Sequence, residues 1–128
     1  MAAVIALINY NGKILIGKKK SKSPKFLAGE WHIPGETKKK GETDIYALTR
    51  GMEEETGLEI RIVRQLASHT TPTSKSKAVW YECFSDTDKV KPGSDIEELK
   101  WVEKDKVMEY CHKRYDLWPR EIRDYLSH

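Results

Sequence analysis

The chain has 128 residues, 34% of them charged and 38% hydrophobic, with a formal net charge of only +3. That length suits one domain, residues 1–128, built on one core, and so small a net charge does not point to nucleic acid as a partner of the whole surface. No stretch approaches the ~20 apolar residues that span a bilayer, and the apolar opening Met1–Ile8 lacks the basic start of a signal peptide. Cys83 and Cys111 have no metal-ligand spacing and read as reduced structural thiols, which suits a cytoplasmic protein.

In chain order, Ala3–Tyr10 is rich in β-branched and aliphatic residues and reads as a strand. Asn11-Gly12 is the dipeptide of a tight hairpin turn, and Lys13–Lys18 is the returning strand. Lys19–Glu30 is basic and broken by Pro24 and Gly29, so it reads as a loop. Trp31–Ile33 is a short strand stopped by Pro34-Gly35, and Glu36–Gly41 is a polar loop. Thr43 caps a helix beginning near Asp44. Ile45, Leu48, Met52 and Thr56 have the helical spacing of a buried face, and Gly57 ends the helix. Glu59–Ser68 is a strand, His69–Lys77 a loop, Ala78–Phe84 an aromatic-rich strand, Ser85–Ser94 a loop and Ile96–Val102 a strand. Lys104–Tyr110 and Pro119–Leu126 read as short helices, the second with Pro119 at its first position. No internal repeat interrupts this order. Strands and helices mix without strict alternation, so the expected fold class is α+β, a mixed β-sheet flanked by helices.

Charge is unevenly placed. Lys18, Lys19, Lys20, Lys22 and Lys25 form one cationic run and Lys38–Lys40 a second, while carboxylates gather at Glu53–Glu55 and Asp95–Glu98. Runs of this kind are commonly solvated faces, but separate clusters of both signs also suit a site that gathers anions and divalent cations. Arg50 and Glu54 are four residues apart and share a helix face, and positions 51, 54 and 55 share one arc. Adjacent carboxylates such as Glu54 and Glu55 repel one another and call for a cation. Arg50 supplies one, and a hard ion such as Mg²⁺ prefers such oxygens. Glu42, in the loop entering the helix, is a partner for Arg50.

The window Glu36–Leu58 resembles the box of the Nudix (MutT-like) hydrolase family. That box reads Gly, five residues, Glu, seven residues, then Arg-Glu-aliphatic-any-Glu-Glu-any-Gly-aliphatic. Glu42, Arg50, Met52, Glu54, Glu55, Gly57 and Leu58 stand on its specified positions. Trp31-His32-Ile33-Pro34-Gly35 is similar to the run that commonly precedes the box, and the opening hairpin and the strand ending in Trp101-Val102 also look like the family. The resemblance implies an α/β/α sandwich and a hydrolase, a pyrophosphatase that cleaves a phosphoanhydride bond of a nucleotide. It implies Mg²⁺, or Mn²⁺ as a substitute, held by Glu54, Glu55 and the Gly35 carbonyl, lowering the pKa of a bound water. Arg50 would orient the carboxylates and be held by Glu42.

Two box positions depart. The first Gly is Glu36, and the Glu after the Arg, which in many members binds metal or acts as the base, is Gly51. Glu53 lies roughly 200° further round the helix and does not replace it. A glycine inside a helix also costs about 1 kcal/mol relative to alanine. Three explanations stay open: a carboxylate from elsewhere, with Glu36 one candidate; a base in a loop; or a regulatory module that binds nucleotides without cleaving them.

Asp95 and Glu97 are further base or metal-binding candidates, since the family often places a carboxylate there. Strand alternation would put Asp95, Glu97 and Leu99 on one face. Lys18 and Lys25, which lead toward Trp31, are candidates for substrate contact, as are Trp31 itself and His69 in the central loop. Trp118 reads as a packing anchor. The basic runs leave an RNA 5′-end pyrophosphohydrolase as a lesser alternative. No membrane partner is expected, and a homodimer stays open.

Overall fold

The computed structural model describes residues 2–20, 29–72, 75–93, 95–111 and 117–127. Strands β1 (Ala3–Tyr10) and β2 (Lys13–Lys19) form the expected hairpin. Asn11 and Gly12 turn it with φ of 52° and 81°, as a type I′ turn requires. Val4, Ala6, Ile8 and Leu15 point to one face of the sheet, and Leu7, Ile14 and Ile16 to the other. Burial on both faces is why these strands read as near-continuous apolar runs.

The hairpin soon parts. Direct pairing of β1 with β2 is limited to Asn9 with Ile14 and Tyr10 with Lys13. Beyond that the inner edges separate, and the segment around Pro34 takes them up. Strand β3 (Trp31–His32) pairs with Gly17 and Lys18 of β2, and β4 (Gly35–Thr37) pairs with Ala3, Val4 and Ile5 of β1. The polar loop expected from Glu36 is therefore a strand at its start, because the freed edge of β1 offers backbone partners there.

Strand β5 (Arg61–Thr70) lies antiparallel to β6 (Lys77–Phe84), which runs parallel to β1, and β7 (Ile96–Glu103) lies antiparallel to β2. The result is a seven-stranded mixed sheet. The β5–β6 pair extends further than expected, so His69 and Thr70 are strand residues rather than loop residues. On β7 a register shift opposite Lys18 and Lys19 leaves Glu97 unpaired between Ile96 and Glu98. This bulge breaks the expected alternation. Ile96 joins Leu99 over Gly17, and Asp95, Glu97 and Leu99 do not form one regular face.

Helix α1 (Asp44–Thr56) covers one face of the sheet, burying Ala47, Leu48 and Met52 against Val4, Ala6, Ile8 and Leu15. The Thr43 hydroxyl accepts the Tyr46 N–H at 3.1 Å, and Gly57 closes the helix at φ 75°. Ile45 does not join the buried face and is 54% exposed. The buried arc is displaced toward Ala47 and Gly51, the side on which α1 meets β4. The opposite face is covered by α2 (Val107–Tyr110), entered through a 3₁₀ turn at Lys104–Lys106, and by α3 (Arg120–Leu126). Val107, Ile122 and Leu126 pack there on Leu7, Ile14, Ile16 and Trp80. Pro119 caps α3 from outside rather than occupying its first turn. Among the described residues no helix is long and apolar enough to cross a membrane.

Candidate active site

The parting of β1 and β2 places β4 beside α1, and the two elements meet at a charged cluster centred on Arg50. Its guanidinium is held side-on by Glu42: Nε donates to Oε2 and Nη2 to Oε1, both at 2.8 Å. The Lys39 N–H donates to the same Oε1 at 2.7 Å. A bidentate pair of this kind fixes the plane of the guanidinium as well as its charge. Arg50 and the Lys39 N–H hold the Glu42 carboxyl far below its ordinary value of 4.5, at about 2. Glu42 in turn raises the Arg50 pKa.

With Nε and Nη2 committed, Nη1 faces two more carboxylates. Glu36 Oε2 from β4 lies at 3.3 Å and Glu54 Oε2 from the next turn of α1 at 3.6 Å. Arg50 is only 16% exposed, whereas Glu54 is 50% exposed. Glu54 thus lies where the cluster opens to solvent, in a shallow pocket lined also by Tyr46, Thr49, Arg50 and Glu53. Glu55 is half-buried in the last turn. That turn is fixed from outside: the Lys91 N–H donates to the Thr56 carbonyl and the Gly93 N–H to that of Glu55. A side chain at Gly93 would collide with the Glu54 carbonyl.

Gly35 sits at the other border. Its neighbours are tied to β1, with the Ala6 N–H donating to Pro34 O and the Lys38 N–H to Ala2 O. The antiparallel rhythm makes Ile5 and Gly35 a non-hydrogen-bonded pair, so the Gly35 carbonyl turns away from β1. The anionic groups around Arg50 are carboxylates, whose oxygens are what a hard divalent cation prefers. Among the described residues no three acidic, histidine or cysteine side chains already converge as an ion cage. The carboxylates are drawn to Arg50, which holds the positive charge in their midst.

The remaining sequence candidates fall elsewhere. Lys18 lies 3.8 Å from Glu97 and pairs with Trp31 across β2 and β3. Trp31 packs edge-on against Tyr110, with ring centres 5.9 Å apart. The Asp95 carbonyl accepts the Lys20 N–H. His69 accepts the Trp80 indole N–H at 3.1 Å, and Trp80 packs edge-on against Trp118, as an anchor would. Lys25 lies outside the described residues. Glu36, Glu42, Arg50 and Glu54 are therefore brought together, and Lys18, Trp31 and Glu97 form a separate group.

Two residues outside the sequence-derived site candidates also bear on this region. Tyr81 on β6 donates to Asp44 at 2.7 Å, and Lys38 pairs with the same carboxylate at 2.8 Å, so the start of α1 is tied both to the sheet and to the loop after β4. Strand alternation beside Trp80 was the available signal. His32 is buried with Nδ1 unpartnered. Burial, with help from Lys19, lowers its pKa from 6.5 to about 4.

The NUDIX domain model matches residues 1–125. The chain belongs to the Nudix hydrolase family. Members of this family generally use divalent metal ions and act on nucleotide-derived substrates. A NUDIX hydrolase from Nitrosomonas europaea superposes with a TM-score of 0.74 at 20% identity, covering 98% of this chain and 67% of that one. The MutT protein from Methanosarcina mazei Go1 gives 0.73 at 22%, covering 98% and 89%. An ADP-ribose pyrophosphatase from Streptococcus suis gives 0.68 at 19%, covering 81% and 74%. At such identities these structures share the fold. No curated protein matches the chain.

Proposed function

We propose that this Nudix protein is a Mg²⁺-dependent pyrophosphohydrolase that cleaves a phosphoanhydride bond in a nucleoside diphosphate-X or nucleoside triphosphate. The observation that carries the reading is the Arg50 cluster: Glu42 commits two guanidinium nitrogens, and the third faces Glu36 and Glu54 at the solvent-open end of α1. Glu54 and Glu55, with the outward-turned Gly35 carbonyl, would hold the ion. When bound, the ion supplies charge neutralisation for phosphate oxygens and acidifies a coordinated water. Arg50 is a positioning residue here, since it sets where the Glu54 carboxylate points. Neighbours named an ADP-ribose pyrophosphatase and a UDP-X diphosphatase agree with a nucleotide linked through a diphosphate. Lys18, Lys25, Trp31 and His69 are proposed substrate contacts, and Asp95 and Glu97 are proposed reserve carboxylates. A single domain working in the cytoplasm completes the proposal.

One observation favours a second reading. Gly51 leaves α1 without a carboxylate at that position, as a module that binds nucleotides without turnover would have. A nucleotide panel with Mg²⁺ and Mn²⁺, run beside Glu55→Gln, separates the two. The hydrolase reading expects turnover in the wild type and its loss in the variant. Binding without turnover at any metal concentration would overturn it. Preference for 5′-triphosphate or capped RNA, with a steep salt dependence, would move the substrate from mononucleotides to RNA ends.

A further inference from the structure

Position 51 is glycine in the middle of a buried helix face, where glycine is the least favourable ordinary choice. The space beside it explains why. A Cβ at position 51 would lie 2.6 Å from Glu36 Cβ, 2.8 Å from its Cγ and 3.0 Å from its Oε2. Carbon atoms pack at about 3.5–4.0 Å, and the nearest atom is the Cβ of a strand residue, which cannot swing aside as a chain end can. The side chain of Glu36 therefore occupies the volume in which a side chain at position 51 would begin. Its carboxylate is also oriented. Oε1 accepts the Thr37 N–H at 3.0 Å, and Oε2 lies beside the Arg50 nitrogen that Glu54 shares.

These contacts bear on both departures from the family box together. The box has no side chain at position 36 and a carboxylate at position 51; this chain has the reverse. We propose that Glu36 and Gly51 are a reciprocal exchange, in which Glu36 delivers from β4, as a metal-binding carboxylate, the group that α1 does not deliver from position 51. The exchange keeps one carboxylate beside Arg50 and Glu54 while changing the element it comes from. Its metal-binding half rests on the reading of the chain as a metal-dependent hydrolase. Its steric half rests on the packing of β4 against α1 alone.

The experiment uses the full chain with Mn²⁺ alone as probe, read by electron paramagnetic resonance, together with thermal unfolding and nucleotide hydrolysis. Glu36→Gln keeps the shape and should fold, yet bind Mn²⁺ about 10-fold or more weakly. Glu36→Gly with Gly51→Glu, which restores the box, should return to within a few-fold of wild-type affinity. Gly51→Ala should lower Tm in the wild-type background and raise it in the Glu36→Gly background, because only there does helix propensity act without the collision. Wild-type Mn²⁺ affinity in Glu36→Gln, or no Mn²⁺ binding by the wild type, would overturn the metal-binding role. A Gly51→Ala effect of the same sign in both backgrounds would overturn the exchange. A wild type that binds Mn²⁺ through Glu36 but hydrolyses no nucleotide supports the exchange and sinks the hydrolase reading. A wild type that hydrolyses, with Glu36→Gln unchanged in rate and affinity, does the opposite.

Discussion

Two polar clusters lie on opposite faces of the same sheet, and their charge balance differs. On the α1 side a single guanidinium, Arg50, is surrounded by Glu36, Glu42 and Glu54, so negative charge is in excess by two. On the α3 side a single carboxylate, Glu82, is matched by Arg64 at 2.9 Å and by the Tyr125 hydroxyl at 2.7 Å. That hydroxyl also accepts the Asn9 side-chain N–H at 3.0 Å, and the Lys104 ammonium sits 3.8 Å above its ring. The second cluster is closed and ties α3 to β1 and β6. The first opens to solvent at Glu54 and carries more carboxylates than guanidinium groups. Carboxylates that outnumber their cations repel one another, and this is the cluster at which a divalent ion is proposed to bind.

The largest change expected from breaking this contrast is Arg50→Met. It removes the guanidinium that Glu36, Glu42 and Glu54 share and the group that aims Glu54. Hydrolysis should fall by about two orders of magnitude, the upper end for residues that orient metal ligands. Metal-free stability should fall as well, because Glu42 loses its bidentate partner. Mg²⁺ should then raise the variant's Tm by less than it raises the wild type's, because the Glu54 carboxylate is no longer held in place for the ion. Equal increments in the two proteins would show that Arg50 does not position a cation ligand.

Acid should sharpen the contrast next. Glu42 titrates at about 2 when folded against an ordinary 4.5, so the unfolded chain takes up its proton first as pH falls. The contribution of the Glu42–Arg50 pair is therefore complete above pH 4.5 and is lost between 4.5 and about 2. In the closed cluster, burial pushes the Glu82 carboxyl up, and the Tyr125 hydroxyl and Arg64 more than reverse that. Urea midpoints measured from pH 7 to pH 2 should drop less steeply below 4.5 in Glu42→Gln than in the wild type. Parallel curves would remove Glu42 as the source.

Much of this was legible in the sequence, for physical reasons that differ from place to place. The hairpin, the Thr43 cap, the Gly57 stop and the Arg50–Glu54 pairing rest on local rules of turn and helix geometry, and the structure follows them. The Glu42–Arg50 pair was expected because Glu42 stands in the loop that enters the helix, and its bidentate form is what the spacing between that loop and the helix allows. Apart from the position of Pro119, the losses are tertiary. β4 exists because β1 and β2 part, which neither strand's composition reveals. Ile45 is exposed because β4 shifts the buried arc of α1 toward Gly51. Glu97 left its expected face because a bulge entered β7. The Lys18–Trp31–Glu97 group comes together through strand pairing, which the sequence positions of its members do not reveal.

The smallest expected effect tests the closed cluster, and its value lies in what it leaves alone. Tyr125→Phe deletes one hydroxyl that donates to Glu82 and accepts from Asn9. Both partners keep other bonds: Glu82 retains Arg64, and the Asn9 side chain still donates to the Leu7 and Cys83 carbonyls. No group is fully orphaned, so the loss should be about 1 kcal/mol, the net worth of an ordinary hydrogen bond. The Phe ring keeps its place under the Lys104 ammonium and its packing on the core. Since the seven-stranded sheet separates Tyr125 from Arg50, Mn²⁺ affinity and hydrolysis should match the wild type at temperatures where both proteins are folded. A loss of Mn²⁺ affinity in Tyr125→Phe would mean that the two clusters communicate through β1 and β6, and the open cluster could no longer be treated as an independent cation site.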